Sequence, residues 1–461
     1  MSTIQESLAA LVSALPPDTV ITDPAEMDLY RWDRANDPNA GVPLAVVLAT
    51  STEDVQAAVR FAAATGTPVV PRGAGSGLSG GSSAVDGCLV VSLERMRAIE
   101  VDAGTRMATV QPGAFNSEVK AAAAEHGLWY PPDPASFEFC SIGGNVATNA
   151  GGLCCVKYGV TTDYVLGLTV VLAAGRAVRL GGPRVKDVAG FSLLKLFVGS
   201  EGTLGIITEA ILRLVPPQRP PTTLAATFPT LSGATDAVIA LTRSARASML
   251  EFMDRTTINA VEDATGMGLD RDAAAILLIQ SDDHPQAAAA EIAEMEAICL
   301  RYGASCRTTA DPVESEALVE ARRIAIPAVE RTGTVLLEDV GVPIPRLGDL
   351  ILGIERIAEA RQVTIAVLAH AGDGNTHPLV VFDPADAEQR VRAEIAYGEV
   401  MDLAIALGGT ITGEHGVGRL KRPWLAGYLG PDVLELNHRI KAALDPDNIL
   451  NPGTIVERSG A

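Results

Sequence analysis

Cysteine is scarce in this sequence. Six fall in 461 residues, none spaced as CxxC, and Cys154 and Cys155 are adjacent, a poor geometry for bridging one another. No disulfide framework is expected, and the reducing cytoplasm is the expected location. Basic residues are outnumbered, with 36 Lys and Arg against 56 Asp and Glu, a formal charge of −20. Nucleic acid and anionic membrane surfaces are poor partners for such a chain. Small anions stay admissible, because a local basic pocket outweighs net charge at contact distance. Long hydrophobic runs are missing too: stretches such as Val165 to Ala174 fall well below the roughly 20 residues of a membrane span. The opening Met1-Ser2-Thr3-Ile4-Gln5 lacks the basic and apolar blocks of an export signal and predicts a capped amphipathic helix. What is present is an ordinary globular composition, 48% hydrophobic and 20% charged, with a length that suggests two or three domains.

Residues 1–39 read as a helical lead-in. From Pro43 the pattern is strand (43–48), helix (53–64) and strand (68–71), a small βαβ opening. Strands are expected at 88–93, 99–102 and 108–111, then a helix over 116–126. Further strands are expected at 165–172, 177–179 and 204–214. Pro216-Pro217-Gln218-Arg219-Pro220-Pro221 is the clearest linker, since four prolines in six residues suit neither a helix nor a central strand. Beyond it, strands (223–227, 275–280, 335–339, 364–369) alternate with alanine-rich helices (233–244, 285–302, 344–361), the texture of a second α/β or α+β domain. Residues 394–445 read as mostly helical, broken at Gly408–Gly416.

Three glycine-dense loops stand beside strands. The first, Pro71-Arg72-Gly73-Ala74-Gly75-Ser76-Gly77-Leu78-Ser79-Gly80-Gly81, contains a literal GxGxxG. A dinucleotide fingerprint would open a helix there, whereas the next regular segment reads as a strand. The loop still suits a phosphate, because side-chain-free residues let backbone N–H groups converge on an anion. The second loop runs through Pro132, Asp133 and Ser136, then Ser141 to Gly152. The third is Gly199-Ser200-Glu201-Gly202-Thr203-Leu204-Gly205. Three such loops imply one long ligand in close backbone contact.

With Lys157-Tyr158-Gly159 and Asn448-Ile449-Leu450-Asn451-Pro452-Gly453, these loops resemble the FAD-linked oxidase family, the vanillyl-alcohol oxidase superfamily. Within it the chain resembles the D-2-hydroxyacid dehydrogenase branch, across roughly residues 40 to 455. The resemblance implies an α+β fold: a two-part FAD-binding domain (40–217), an α+β substrate-binding cap (218–400), and a C-terminal helical segment (401–461) that returns to the flavin. It makes Pro71 to Gly80 the pyrophosphate loop. Pro132, Asp133, Ser136, Ser141, Gly144, Asn145, Thr148, Asn149, Gly152 and Tyr158 would line the flavin. Glu201, Gly202 and Ile207 would hold other parts of FAD, with Asn451 near the isoalloxazine. Some relatives attach FAD covalently to a histidine in the first loop; none is present here, so FAD is expected to dissociate.

Three of six histidines fall in His370-Ala371-Gly372-Asp373-Gly374-Asn375-Thr376-His377 and Glu414-His415-Gly416. Two imidazoles and a carboxylate form a normal divalent-metal set, although glycine-turn histidines can equally hydrogen-bond locally. The family resemblance implies His370, His377 and Glu414 as ligands of a divalent metal, zinc before manganese or iron, and His415 as the base. In the Gly-Asp-Gly turn, Asp373 is expected to cap backbone N–H groups. Arg322 occupies the family's substrate-carboxylate position, a bidentate task suited to guanidinium, and Asn375 is expected to touch substrate.

The family's 2-hydroxyglutarate enzymes grip a second carboxylate with a Thr and a Lys. The matching positions here are Ile326 and Leu337, which disfavours a dicarboxylate. The activity implied is oxidation of a D-2-hydroxy monocarboxylate (D-lactate, glycolate or a longer apolar analogue) to the 2-oxo acid. The alternatives are a D-2-hydroxyglutarate dehydrogenase or another flavin oxidase of the superfamily. Electrons would pass to an electron-transfer flavoprotein, a quinone or a cytochrome, and a homodimer is expected.

Overall fold

The computed structural model describes residues 2–456, and in it the chain forms two compact units. The first gathers residues up to Gly151, Val160–Pro217 and the segment from Glu414 onward; the second gathers Gly152–Gly159 and Gln218–Gly413.

The first unit has two sheets. In one, Ala45–Leu48, Leu89–Ser92 and Val69–Arg72 run parallel, with the short Val20–Ile21 antiparallel at its edge. Every residue of Ala45–Leu48 and Leu89–Ser92 is buried, as expected of parallel strands covered on both faces. The second sheet is antiparallel, ordered Ile99–Asp102, Met107–Val110, Ile206–Arg213, Val165–Val171, Ala177–Gly181. Helix Thr52–Thr65 joins the two. It opens on a capping box between Ser51 and Asp54, and Val55, Val59 and Ala62 enter a core shared with Val47, Val91, Val171 and Ile206. The C-terminal segment completes this unit: Val69 bridges to Leu450 in parallel.

The lead-in carries the helices Ser2–Ala14 and Pro24–Asp28 and then meets the first glycine loop. Arg34 N and Ala35 N donate to Gly75 O and Gly77 O, so this stretch holds the outer side of the first glycine loop. The segment expected to begin at 401 starts instead inside the continuous helix Ala387–Ala406, and the units divide after Gly413.

The second unit is built on an eight-stranded antiparallel sheet. Its order is Ser305–Thr309, Thr222–Phe228, Ala275–Ser281, Met249–Asp254, Thr364–His370, Asn375–Phe382, Thr334–Leu337, with Val340–Gly341 also pairing Asn375–Phe382. Met253, Ile276, Leu368, Leu379 and Val381 pack with Ile258 and Val261 of helix Arg255–Thr265 and with Ala325, Ala328 and Val329. The alternation of strand side chains puts these residues on one sheet face. Among the described residues no helix is long and apolar enough to cross a membrane.

Candidate functional site

In the first unit the three glycine loops meet. Ala74 N donates to Ser141 Oγ (3.2 Å), which ties the first loop to the second. A Cβ on Gly202 would stand 2.3 Å from Pro71 Cγ, and Gly202 has φ +73°, so only glycine suits this contact of third and first loops. Asn451 is buried, and its Nδ2 donates to Gly81 O and Glu201 O, both at 2.7 Å. Its amide therefore clamps two loops together. Glu201 is buried as well: its carboxylate accepts from Val417 N (2.7 Å) and Gly418 N (2.8 Å). Burial pushes its carboxyl up to about 7, against those two bonds and the nearby Lys421 ammonium.

Several side chains expected on FAD do structural work. Arg72 donates to Trp32 O (2.7 Å), and burial lowers its pKa. Asn145 sits in a buried set with Asn116 and Cys140. Ile207 packs in the core of the antiparallel sheet with Leu168 and Val146. Thr148 Oγ1 bonds back to Gly144 O, and Asn149 ends its short helix at φ +53° while its Oδ1 accepts from Thr162 N. Pro132 and Asp133 are buried and Ser136 half-buried. Tyr158 falls in the second unit with Gly152, where it and Lys157 donate to the buried carboxylate of Asp282.

The main chain of the first loop fits a cofactor pyrophosphate. Among the described residues, the N–H groups of Gly75, Ser76, Gly77, Leu78, Ser79, Gly80 and Gly81 donate no hydrogen bond, although this stretch is buried or half-buried. Consecutive uncommitted amides in a glycine loop are an anion cradle. The loop's walls are fixed by Asp33, which accepts from Ser82 N and Ser83 Oγ, and by Ser79 Oγ, which donates to Gly416 O (2.8 Å).

In the second unit, His370 ends one strand of a hairpin and His377 lies in the other, where Leu368 pairs with His377 and His370 with Asn375. Strand alternation puts both imidazoles on the sheet face that carries Leu368 and Leu379, with ring centroids 5.1 Å apart. The turn between them is as expected: Asp373 Oδ1 accepts from Asn375 N (3.1 Å). Asn375 Oδ1 accepts from Thr376 N, and a Cβ on Gly413 would fall 2.3 Å from it, so Asn375 packs on the residue that precedes Glu414. Thr412 Oγ1 and Gly413 N both donate to Asp339 Oδ2, at 2.6 and 2.9 Å, which fixes the chain as it leaves for Glu414. Asp339 Oδ1 is 3.8 Å from His377 Nδ1, and both residues are buried. In the first unit, His415 Nε2 is 3.9 Å from Glu414 Oε1.

Glu251 is absent from the residues that the sequence motifs single out. It lies on Met249–Asp254, one step from the pairs Phe252–Ala369 and Met253–Leu368, and therefore faces His370. Its carboxylate meets His370 Nδ1 at 2.8 Å and Arg322 at 2.7 Å. An acidic residue at an inward position of an apolar strand was the available signal. Arg322 is thus only 2% exposed and ion-paired inside the unit, and its Nε has no acceptor among the described residues. Ile326 and Leu337 are half-buried against the apolar cluster of Leu368 and Leu379.

Among the described residues, His377 and Asp339 belong to a group of side chains whose donor atoms lie close enough together to hold a cation, and His370 stands beside that group, against the His377 ring. A proton on His370 Nδ1 directed at Glu251 leaves the Nε2 lone pair for a ligand bond, the arrangement common to metal-binding histidines.

Comparison with known proteins gives a consistent result. Residues 43–181 match the FAD binding domain family, and residues 218–455 match the FAD linked oxidases, C-terminal domain. The chain is 40% identical over 447 residues to glycolate oxidase subunit GlcD of Bacillus subtilis (strain 168), covering 96% of this chain and 95% of that one. It is 35% identical over 466 residues to a D-lactate dehydrogenase of Archaeoglobus fulgidus, covering 99% and 100%. Among solved structures, 4-ethylphenol oxidase from Gulosibacter chungangensis superposes with TM-score 0.82 at 21% identity, over 98% of this chain and 97% of that one. p-Cresol methylhydroxylase gives 0.82 at 18%, over 100% and 98%. These last two share the fold, an α+β arrangement with the FAD-binding domain of the vanillyl-alcohol oxidase type. The chain is an enzyme that belongs to the FAD-linked oxidase family.

Proposed function

We propose that the protein oxidises a small D-2-hydroxy monocarboxylate, D-lactate or glycolate first among them, to the 2-oxo acid. The names of its relatives supply the substrate class, and the observation that carries the reading is the buried His370–His377 pair with Glu251 behind His370.

FAD, bound without a covalent link, would take the α-hydrogen as hydride. A divalent cation, zinc in the first instance, would polarise the hydroxyl and carboxylate of the substrate. His370, His377 and Glu414 would hold that cation. His415, next in the chain to Glu414 and about one-tenth exposed, would take the hydroxyl proton on its imidazole. Arg322, through its uncommitted Nε–H, and Asn375 would orient the carboxylate. The apolar Ile326 and Leu337 would exclude a second carboxylate. Electrons then leave for a separate acceptor, an electron-transfer flavoprotein, a quinone or a cytochrome. Six free cysteines accord with work in the cytoplasm.

The test is anaerobic bleaching of flavin absorbance against a panel of 2-hydroxy acids. D-Lactate and glycolate should bleach it, and the L-enantiomer of lactate should not. A protein that binds FAD yet is bleached by none of the panel would reject the reading.

A further inference from the structure

We propose that Glu251 is a positioning residue for the metal: it fixes which nitrogen of His370 carries the proton and divides its charge between His370 and Arg322. The inference rests on the reading above that His370 is a metal ligand, and it adds a residue outside both histidine motifs.

The geometry is specific. Glu251 is 1% exposed, and Nδ1 of His370 lies 2.8 Å from its Oε1 and 3.0 Å from its Oε2. The Arg322 guanidinium, itself buried, stands 2.7 Å from Oε2. A carboxylate so deep in the protein needs a charged partner, because its lost hydration is otherwise uncompensated. Arg322 supplies that partner. With both carboxylate oxygens turned to Nδ1, that nitrogen is placed to donate and Nε2 to bind a cation. The negative charge also makes that imidazole a better donor to a cation. The ladder sets them opposite: the pairs Phe252–Ala369 and Met253–Leu368 lead to Glu251 across from His370, and Gly372 N donates to Leu250 O (3.1 Å) where the chain leaves the strand.

The experiment titrates zinc, with a competing chelator, into metal-stripped, FAD-loaded protein. In Glu251→Gln the zinc dissociation constant should rise roughly 10–100-fold, the usual effect of an outer hydrogen-bond partner of a ligating histidine. The flavin spectrum should be unchanged, and Glu251→Asp should recover part of the affinity. If Glu251→Gln is unstable because it strands the Arg322 charge, the double variant Glu251→Gln/Arg322→Gln removes both charges and should show the same weakening. Wild-type zinc affinity in the folded Gln variant, single or double, while His370→Ala loses zinc, would overturn the role of Glu251 and leave the metal reading standing. Wild-type zinc affinity in His370→Ala would overturn both.

Discussion

Pro378 stands across the ladder from Glu338. Glu338 N donates to Pro378 O (2.9 Å), but the proline has no N–H to return, and regular pairing stops at Leu337–Leu379 and resumes at Val340–Thr376. In that gap lie two fully buried carboxylates, Glu338 and Asp339, and the register sets Asp339 opposite His377. Burial, reinforced by both carboxylates, pushes the nearby Tyr397 hydroxyl well above its ordinary pKa. A proline that looks like a strand breaker thus marks the place where Asp339 comes opposite His377.

The contact of the first and third glycine loops should not tolerate a methyl group. Gly202→Ala would press on Pro71 and require a left-handed backbone conformation that alanine disfavours. A loss of about 1–3 kcal/mol is expected, with weaker FAD retention. Thermal melting and flavin content after gel filtration measure both.

Glu201 should make stability fall as pH rises toward neutrality. Its folded pKa, about 7, lies above the ordinary carboxyl value of 4.5, so over that window the folded state holds a proton that the unfolded chain has released. Its contribution is fully present below the unfolded value and is lost through pH 7. Denaturant unfolding from pH 5 to 8 should show this downward slope in the wild type. The slope should flatten in Glu201→Gln, and an equal slope in the two would contradict the assignment.

Lys441 is buried, with its ammonium donating to Thr203 O, Leu450 O and Asp445. Lys441→Met leaves the Asp445 carboxylate buried without its partner, a loss of about 3–5 kcal/mol. Adding Asp445→Asn should recover part of it, which unfolding midpoints of the single and double variants would reveal.

Replacing the proposed base, His415, should separate chemistry from binding. His415→Ala is expected to keep FAD and metal yet slow flavin reduction by roughly 10²–10⁴-fold in stopped flow. Metal analysis of the same sample decides the issue: loss of metal would make His415 a ligand.

Competition between substrates tests the apolar wall. D-Lactate should exceed D-2-hydroxyglutarate in kcat/KM by at least about tenfold, since a distal carboxylate would lose its hydration beside Ile326 and Leu337.

Much of this was legible in the sequence. The strand at Ile99–Asp102 lies where alternation and turn residues put it, and the Pro216–Pro221 linker spans the point where the units divide. The three loops and the histidine motifs were visible because glycine and histidine carry chemistry at short spacing. Strands Met249–Asp254 and Asn375–Phe382 were missed: the first carries an inward carboxylate, the second a proline, and both weaken a strand pattern. Glu251 was missed for a related reason, since its partners lie 71 and 119 residues away (322 − 251 and 370 − 251), one on a helix and one on a strand, and only the folded chain brings them together. Asn451 and Glu201 were found as residues but not as clamps, because main-chain partners leave no mark in a sequence.

The bridge from Val69 to Leu450 has a bearing on how the protein is made. The two residues are 450 − 69 = 381 positions apart, which at about 5–20 residues per second means some 20–80 seconds of synthesis. Throughout that interval the parallel sheet of the first unit waits with one edge unmatched, while the second unit can complete itself once Gly413 has left the ribosome. Cofactor capture would therefore be a late event on the ribosome, and a nascent chain arrested before Leu450 should expose a sticky sheet edge to chaperones.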